Sequence, residues 1–238
     1  MTSRLAWASF AALALTQIAI PLTDDDATIE WLSSLVVVAF FLTALAVVVG
    51  RWGAARASVA AAFVVAATLG VEKLGTTTGF PFGEYGYTGA LEPTLAGVPV
   101  IVPLAWFAMG VTALEVGHRV GARAVAVVVA AVGLTAWDLF LDPQMVDAGY
   151  WEWAADGVYH GIPLSNYGGW LLTGLVVSAG VECIRPPTPP SPGLLWLYTW
   201  WAVMSTIGFV VFFGEPFVGL VGGIGMGAVT ALAWARAR

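Results

Sequence analysis

Charge is scarce in this sequence: only 10% of its 238 residues are Asp, Glu, Lys or Arg, against about a quarter in a soluble domain. With 59% hydrophobic residues, the chain is read as an integral protein of the cell membrane and not as a water-soluble globule. Cysteine is nearly absent, and the single Cys183 rules out an internal disulfide. Histidine is equally sparse. His118 and His160 are the only two, too few for the His-rich iron sites of membrane desaturases and hydroxylases, so redox chemistry at a protein-bound iron is not expected. No stretch alternates with the period of a membrane strand, which favours an α-bundle over a barrel. Excess positive charge is missing too, and a formal net charge of −6 argues against nucleic acid as a partner.

What the sequence does have is a series of apolar runs of roughly 20 residues, each long enough to cross a ~30 Å hydrocarbon core as a helix. Eight spans are predicted, at 5–22, 29–49, 57–74, 98–116, 122–141, 167–184, 193–213 and 216–235. The expected fold is therefore all-α, a polytopic bundle of about eight transmembrane helices forming one domain over residues 1–238 and embedded in the lipid bilayer. The apolar run after Arg4 is taken as the first span and not as a signal peptide, because no clear small-residue cleavage site follows it. Arg4, Arg51, Arg56, Arg119, Arg123, Arg185, Arg236 and Arg238 fall on one side of this arrangement. Asp24 to Asp26, Glu84, Glu92, Asp147, Glu152, Asp156 and Glu215 fall on the other. The positive-inside rule then predicts that both termini are cytoplasmic.

Both long connections, 75–97 and 142–166, are expected to face outward, and loops of that length in a compact bundle usually carry function. They echo one another. Gly97-Val98-Pro99 precedes Trp106 at the same offset as Gly161-Ile162-Pro163 precedes Trp170, and Leu91-Glu92-Pro93 parallels Leu141-Asp142-Pro143. A duplication of this kind would set two helical hairpins facing each other across a shared cavity. Gly219, Gly223 and Gly227, four residues apart in the last span, read as a helix-packing ridge.

Carboxylates inside apolar spans are costly and functional by default. Glu72, Glu115, Asp138 and Glu182 are the candidates. Glu115 and Glu182 lie four and three residues before Arg119 and Arg185, a spacing that predicts ion pairs along each helix. Glu72 can face inward while Lys73 snorkels outward. Asp138 has no basic residue within helical reach. With Asp142 it puts two carboxylates one turn apart on one helix face, and Pro143 is expected to end the helix. Tyr85 and Tyr87 in the first loop, with Trp151, Glu152, Trp153, Tyr159, His160 and Asn166 in the second, concentrate aromatic and polar groups on the outer side. Together these predict a proton-handling pocket at the membrane surface, used on a long apolar substrate. For His160, hydrogen bonding ranks above metal ligation; Cys183 and His118 are expected to have no chemical role.

The strings 79–88, Gly97-Val98-Pro99, Pro103 to Phe107, Asp138 to Pro143, Trp151 to Trp153, Gly161-Ile162-Pro163 and Asn166 occur in an order that resembles the CruF-type carotenoid hydratases, over roughly residues 72–170. That resemblance implies cofactor-independent addition of water to the terminal double bond of an acyclic carotenoid, giving a tertiary alcohol. The substrate would be a C50 carotenoid of the bisanhydrobacterioruberin type or a C40 ψ-end, with water as co-substrate and other carotenoid-pathway enzymes as further partners. The residue chemistry fits. Hydrating a trisubstituted alkene needs a proton, a briefly held tertiary cation and a placed water, with no metal. Asp138 is the expected general acid, and Asp142, nearer the interface, or Glu72 across the cavity would orient the water and accept its proton. Tyr85, Tyr87, Trp137, Trp151 and Trp153 are expected to face the cation, which gains roughly 2 kcal/mol at a good desolvated contact. Trp106, Asn166 and Trp170 complete the expected substrate-binding set.

Three rivals share parts of this pattern. A membrane lycopene cyclase would protonate the same end and let the polyene quench the cation. A diphosphate prenyltransferase needs Lys or Arg to grip its substrate, and the outer loops contain neither, leaving only Lys73 nearby. A carotenoid-binding scaffold or transporter would use the aromatics and leave the pigment unchanged.

Overall fold

The computed structural model describes residues 3–236, and among them eight helices are long and apolar enough to cross a membrane. The chain is an all-α, multi-pass membrane protein. Helix α1 spans Arg4–Ala19, capped by the Ser3 hydroxyl, and runs into a 3-10 turn at Ile20–Leu22. Helix α2 covers Asp26–Trp52, begun by the Asp25 carboxylate accepting the Thr28 amide at 2.9 Å. Helix α3, Ala54–Thr78, stops at Gly79, whose φ of 77° is the left-handed geometry that favours glycine. Helices α4 (Ile101–Val120), α5 (Arg123–Asp147) and α6 (Leu164–Ile184) follow. Helix α7, Pro192–Ile207, has Ser191 as its cap, and continues as a π-helical turn at Gly208–Phe212 before α8, Pro216–Ala235. Strands enter only in the loops: β1 (Tyr85–Tyr87), β2 (Thr94–Leu95), β3 (Val98–Pro99) and β4 (Trp151–Trp153). Val98 and Pro99, expected to open the fourth span, belong to β3.

Helix α4 runs through the middle of the bundle, buried almost continuously from Ala105 to Gly117. Helix α5 lies against it, with α6 and α8 on its other sides, while α1 pairs with α2 at the periphery. Trp7, Leu15, Val128, Val176, Phe217 and Ile224 point outward, as lipid-facing positions do in a fold whose surroundings are as apolar as its core. The predicted glycine ridge packs at two of its three positions. Gly219 and Gly223 meet Val210 and Thr206 and Gly227 meets nothing, whereas Gly222 and Gly225 admit Phe140, Ala136 and Leu139 of α5.

Two further expectations are corrected. Pro143 does not end α5, which runs on to Asp147. A proline inside a helix removes its own N–H and leaves the carbonyl four residues back unpaired; here the Tyr159 hydroxyl donates to that Leu139 carbonyl at 2.9 Å. The ion pairs also cross between helices instead of following one helix. Arg185, beyond α6, donates to Glu115 of α4 at 2.7 Å, while Arg123, opening α5, donates to Glu182 of α6 at 2.8 Å. His118 stands 2.6 Å from Glu182, a structural contact, and Arg119 turns to the Pro190 carbonyl. Both members of the Arg185–Glu115 pair are buried. Arg185→Met is therefore expected to destabilise the protein by about 3–5 kcal/mol, the cost of an uncompensated buried charge, read as a lowered unfolding midpoint in detergent.

These contacts gather the basic residues at one end of the bundle. Arg51 reaches the Pro189 carbonyl, Arg119 that of Pro190, and Arg236 that of Val120. Arg238 lies outside the described residues. If the basic end is cytoplasmic, a protease-cleavable tag inserted between residues 88 and 90 is cut only from the outside; cleavage from the cytoplasmic side would reverse the topology.

Candidate active site

The two long loops are stitched together at the end opposite the basic cluster. Strands β1 and β4 pair antiparallel, with Tyr85 opposite Trp153 and Tyr87 opposite Trp151. The pairing is extended by Ala154 N–H to the Glu84 carbonyl at 2.9 Å and Thr88 N–H to that of Tyr150 at 3.1 Å. Alternate side chains of a strand face the same way, so four rings turn inward over the helices. Gly75 makes room for them: a Cβ there would stand 3.0 Å from the Tyr85 and Phe82 rings.

Beneath this lid is a cavity of about 60 Å³. Its walls include Glu72, Tyr85, Tyr87, Trp106, Trp137, Asp142, Trp151, Trp153, Asn166 and Trp170. Those residues come from α3, both loops, α4, α5 and α6. Of the eleven residues singled out in the sequence, Asp138 alone is outside the wall; it lies directly behind Asp142. The Asn166 amide spans the two acids, donating to Asp138 Oδ2 at 2.9 Å and to Asp142 Oδ2. The Trp151 indole donates to Asp142 Oδ1 at 3.2 Å, while Asp138 Oδ1 has no partner. Asp138 is 0% exposed and Asp142 3%. Asp142, expected nearer the interface, is thus enclosed as well, under the β1–β4 lid.

Glu72 faces the same cavity and is saturated with donors. The Tyr85 hydroxyl and, at 2.8 Å, the Tyr87 hydroxyl donate to Oε2, and the Trp106 indole donates to Oε1 at 3.3 Å. Burial first, and then the charge of Glu72, hold both loop phenols far above the ordinary tyrosine range, so they remain donors at any physiological pH. Three donors thus converge on one carboxyl group. Lys73, its neighbour, is exposed. Behind the acid pair, Tyr159 is pushed up to about 12 by burial and then by Asp138, and the Tyr167 hydroxyl is buried without a partner.

Aromatic rings make up most of the remaining wall. Trp106 and Trp170 stack at 4.0 Å with 14° between planes, and Trp137 meets Trp170 edge-on at 6.0 Å. Tyr85 stacks on Trp153 and Tyr87 sets its edge to Trp151. The internal echo has a physical counterpart here: its two tryptophans are the stacked pair. The β1–β4 pairing and the crossed pairs Arg185–Glu115 and Arg123–Glu182 are reciprocal in the same way, the pattern a two-fold relation between hairpins α3–α4 and α5–α6 produces. His160 lies outside the cavity, 2.8 Å from Asp147, a hydrogen-bonded position as expected. Sequence reasoning missed Leu91 and Met145 in the wall, ordinary apolar residues with no signal of their own; Phe82 of the aromatic first loop also lines it, and Tyr167, at the head of α6, stands behind it.

Fold and site together define a multi-pass helical membrane protein with a buried acid pocket walled by tryptophan and tyrosine. Residues 29–235 match the carotenoid biosynthesis protein family, and the chain belongs to it, in agreement with the resemblance read from the loops. A bisanhydrobacterioruberin hydratase from Haloarcula japonica is 35% identical over 127 residues, a match that covers 51% of this chain and 43% of that relative. The chain thus spans less than half the length of that curated relative. No solved structure matches it.

Proposed function

We propose that this protein hydrates the terminal double bond of an acyclic carotenoid, of the C50 bisanhydrobacterioruberin type or a C40 ψ-end, without a cofactor. The observation that carries this reading is the Asp138–Asn166–Asp142 set, which opens through Asp142 onto an aromatic-walled cavity opposite Glu72. Two buried carboxylates one turn apart cannot both be charged cheaply, so the pair holds one proton between them. Asp138 stores it and Asp142 presents it. The alkene π electrons take that proton at the less substituted carbon, forming a C–H bond and leaving a tertiary cation on the other carbon. Water attacks the cation through oxygen and gives up a proton to the Asp142 carboxylate, which restores the acid pair. No net proton is consumed.

The remaining groups act on the cation. Trp137, Trp151 and the loop tyrosines offer π faces, while the Glu72 carboxylate supplies the opposing charge as the cation forms and orients the water. A cavity of about 60 Å³ has room for a small branched end and a water, which occupies only ~10–15 Å³ on the same measure. The hydratase relative named above supports the reaction class, and the family supports the pathway.

Expression in a host that accumulates an acyclic carotenoid tests the reading, with pigments analysed by mass. A product heavier by one water per modified end is expected. An isomer of unchanged mass with a new ring would mean cyclisation, and an unaltered pigment copurifying with active-conformation protein would mean a binding role.

A further inference from the structure

We infer that a second cavity, adjoining the acid pocket, binds the isoprenoid chain of the substrate and is its way in from the bilayer; the inference rests on the hydratase reading above. This cavity is larger, about 230 Å³, and lies between α1 with its 3-10 turn, α2, α5, α7 and the π-helical turn. Its wall is continuous with that of the acid pocket. Val37 of α2, Ile101 and Ala105 of α4, and Trp137, Leu141 and Met145 of α5 line both. A chain whose end rests against Asp142 therefore passes over Trp137 and Leu141 into the larger space without crossing a helix.

The chemistry of this space selects a hydrocarbon. Its lining is apolar apart from Gln17, Ser33, Gln144, Ser205 and the Tyr150 phenol, and it includes no Asp, Glu, Lys, Arg or His. A phospholipid headgroup would find no ionic partner in it, whereas a polyene requires none. Gln17 is already engaged, accepting the Trp200 indole N–H at 2.7 Å. That bond and the Phe10–Trp200 edge contact close the gap between α1 and α7 on the side toward the basic end. Beyond them the gap is flanked by Leu22, Ile207, Phe212 and Phe213, all exposed, so the opening faces lipid and not water. Such a route suits a substrate that is insoluble along its whole length. The π-helical turn lies in this wall, and Phe209 within it stacks on Phe140 at 5.6 Å; single π turns are frequent at functional sites.

A plug introduced after folding provides the test. Ser205→Cys is made in a Cys183→Ser background, since Cys183 is exposed and lies outside both cavities. Half of the purified protein is capped with a bulky aromatic maleimide, and both halves are titrated with an acyclic C40 carotene in nanodiscs, following tryptophan quenching and bound pigment. Capping is expected to weaken carotene binding about tenfold or more, equivalent to ~1.4 kcal/mol. Capped protein that binds carotene with the affinity of the uncapped half overturns the inference, whatever hydration does. So does native mass spectrometry showing a phospholipid in the cavity that carotene fails to displace. If capping abolishes binding while uncapped protein never yields a hydrated product, the chain site stands and the hydratase reading falls.

Discussion

Asp142→Asn is expected to lower carotenoid hydration by ~10²- to 10⁴-fold, the range that a positioned general acid contributes, while leaving membrane abundance and carotenoid binding near wild type. Asparagine keeps the shape and still accepts from the Trp151 indole, but it has no carboxylic proton to present. Membrane depth alone suggests a milder effect, with solvent substituting for an acid near the interface. Burial under the β1–β4 lid removes that possibility, since Asp142 is as enclosed as Asp138. Asp138→Asn is expected to fall in the same range. It retains an acceptor for Asn166 and loses the proton store, and the double variant should be no slower than either single one, because groups that act as a unit are not additive. Turnover numbers for the two single variants and the double, normalised to folded protein, decide the matter. A well-folded Asp142→Asn enzyme with wild-type turnover would move the acid elsewhere. Multiplying losses in the double variant would mean that the two carboxylates hold separate protons.

The sequence made the bundle legible because hydrophobic length is a one-dimensional signal, and all eight spans were found within a few residues. Helix α8 ends where its pattern ends, at Pro216 and Ala235. The errors sit where tertiary partners replace local rules. Pro143 carries the usual helix-stop signal, and only the Tyr159 hydroxyl on the Leu139 carbonyl, 20 residues away in the chain, makes the extra turn tolerable. Glu115 and Arg119 have the spacing of a helical pair, yet Arg185 takes the carboxylate because α6 ends beside it. The site residues were legible for a different reason: carboxylates in apolar spans and aromatics packed into outer loops are rare enough to stand out singly. Their mutual order was not legible. That Asn166 bridges both acids, and that Asp142 and not Asp138 meets the cavity, depends on how α6 docks on α5. The larger cavity had no sequence signal at all, being lined by ordinary apolar residues from several helices whose separate patterns look like plain packing.

Glu72→Gln separates electrostatic help from proton delivery, and a loss in kcat of ~10²- to 10³-fold is expected, comparable with removing one preorganised group aimed at developing charge. The neutral substrate gains little from a carboxylate, whereas the tertiary cation gains a great deal in a site without bulk water, so the loss belongs in kcat and not in carotenoid affinity. Glutamine also mismatches its surroundings. Tyr85, Tyr87 and Trp106 all donate to the two Glu72 oxygens, and an amide presents one oxygen and one N–H₂, which sets a donor against a donor on one side. Loss of fold is therefore the competing explanation for any inactivity, and Tyr85→Phe controls for it. That change removes one of the donors and keeps the charge, so it is expected to slow hydration only a fewfold. Steady-state kinetics on both variants, with carotenoid binding measured in parallel, give the answer. If Tyr85→Phe and Glu72→Gln fall equally far, the hydrogen-bond cluster matters only as scaffolding; if Glu72→Gln retains wild-type turnover, the cation is held by the tryptophan and tyrosine faces alone.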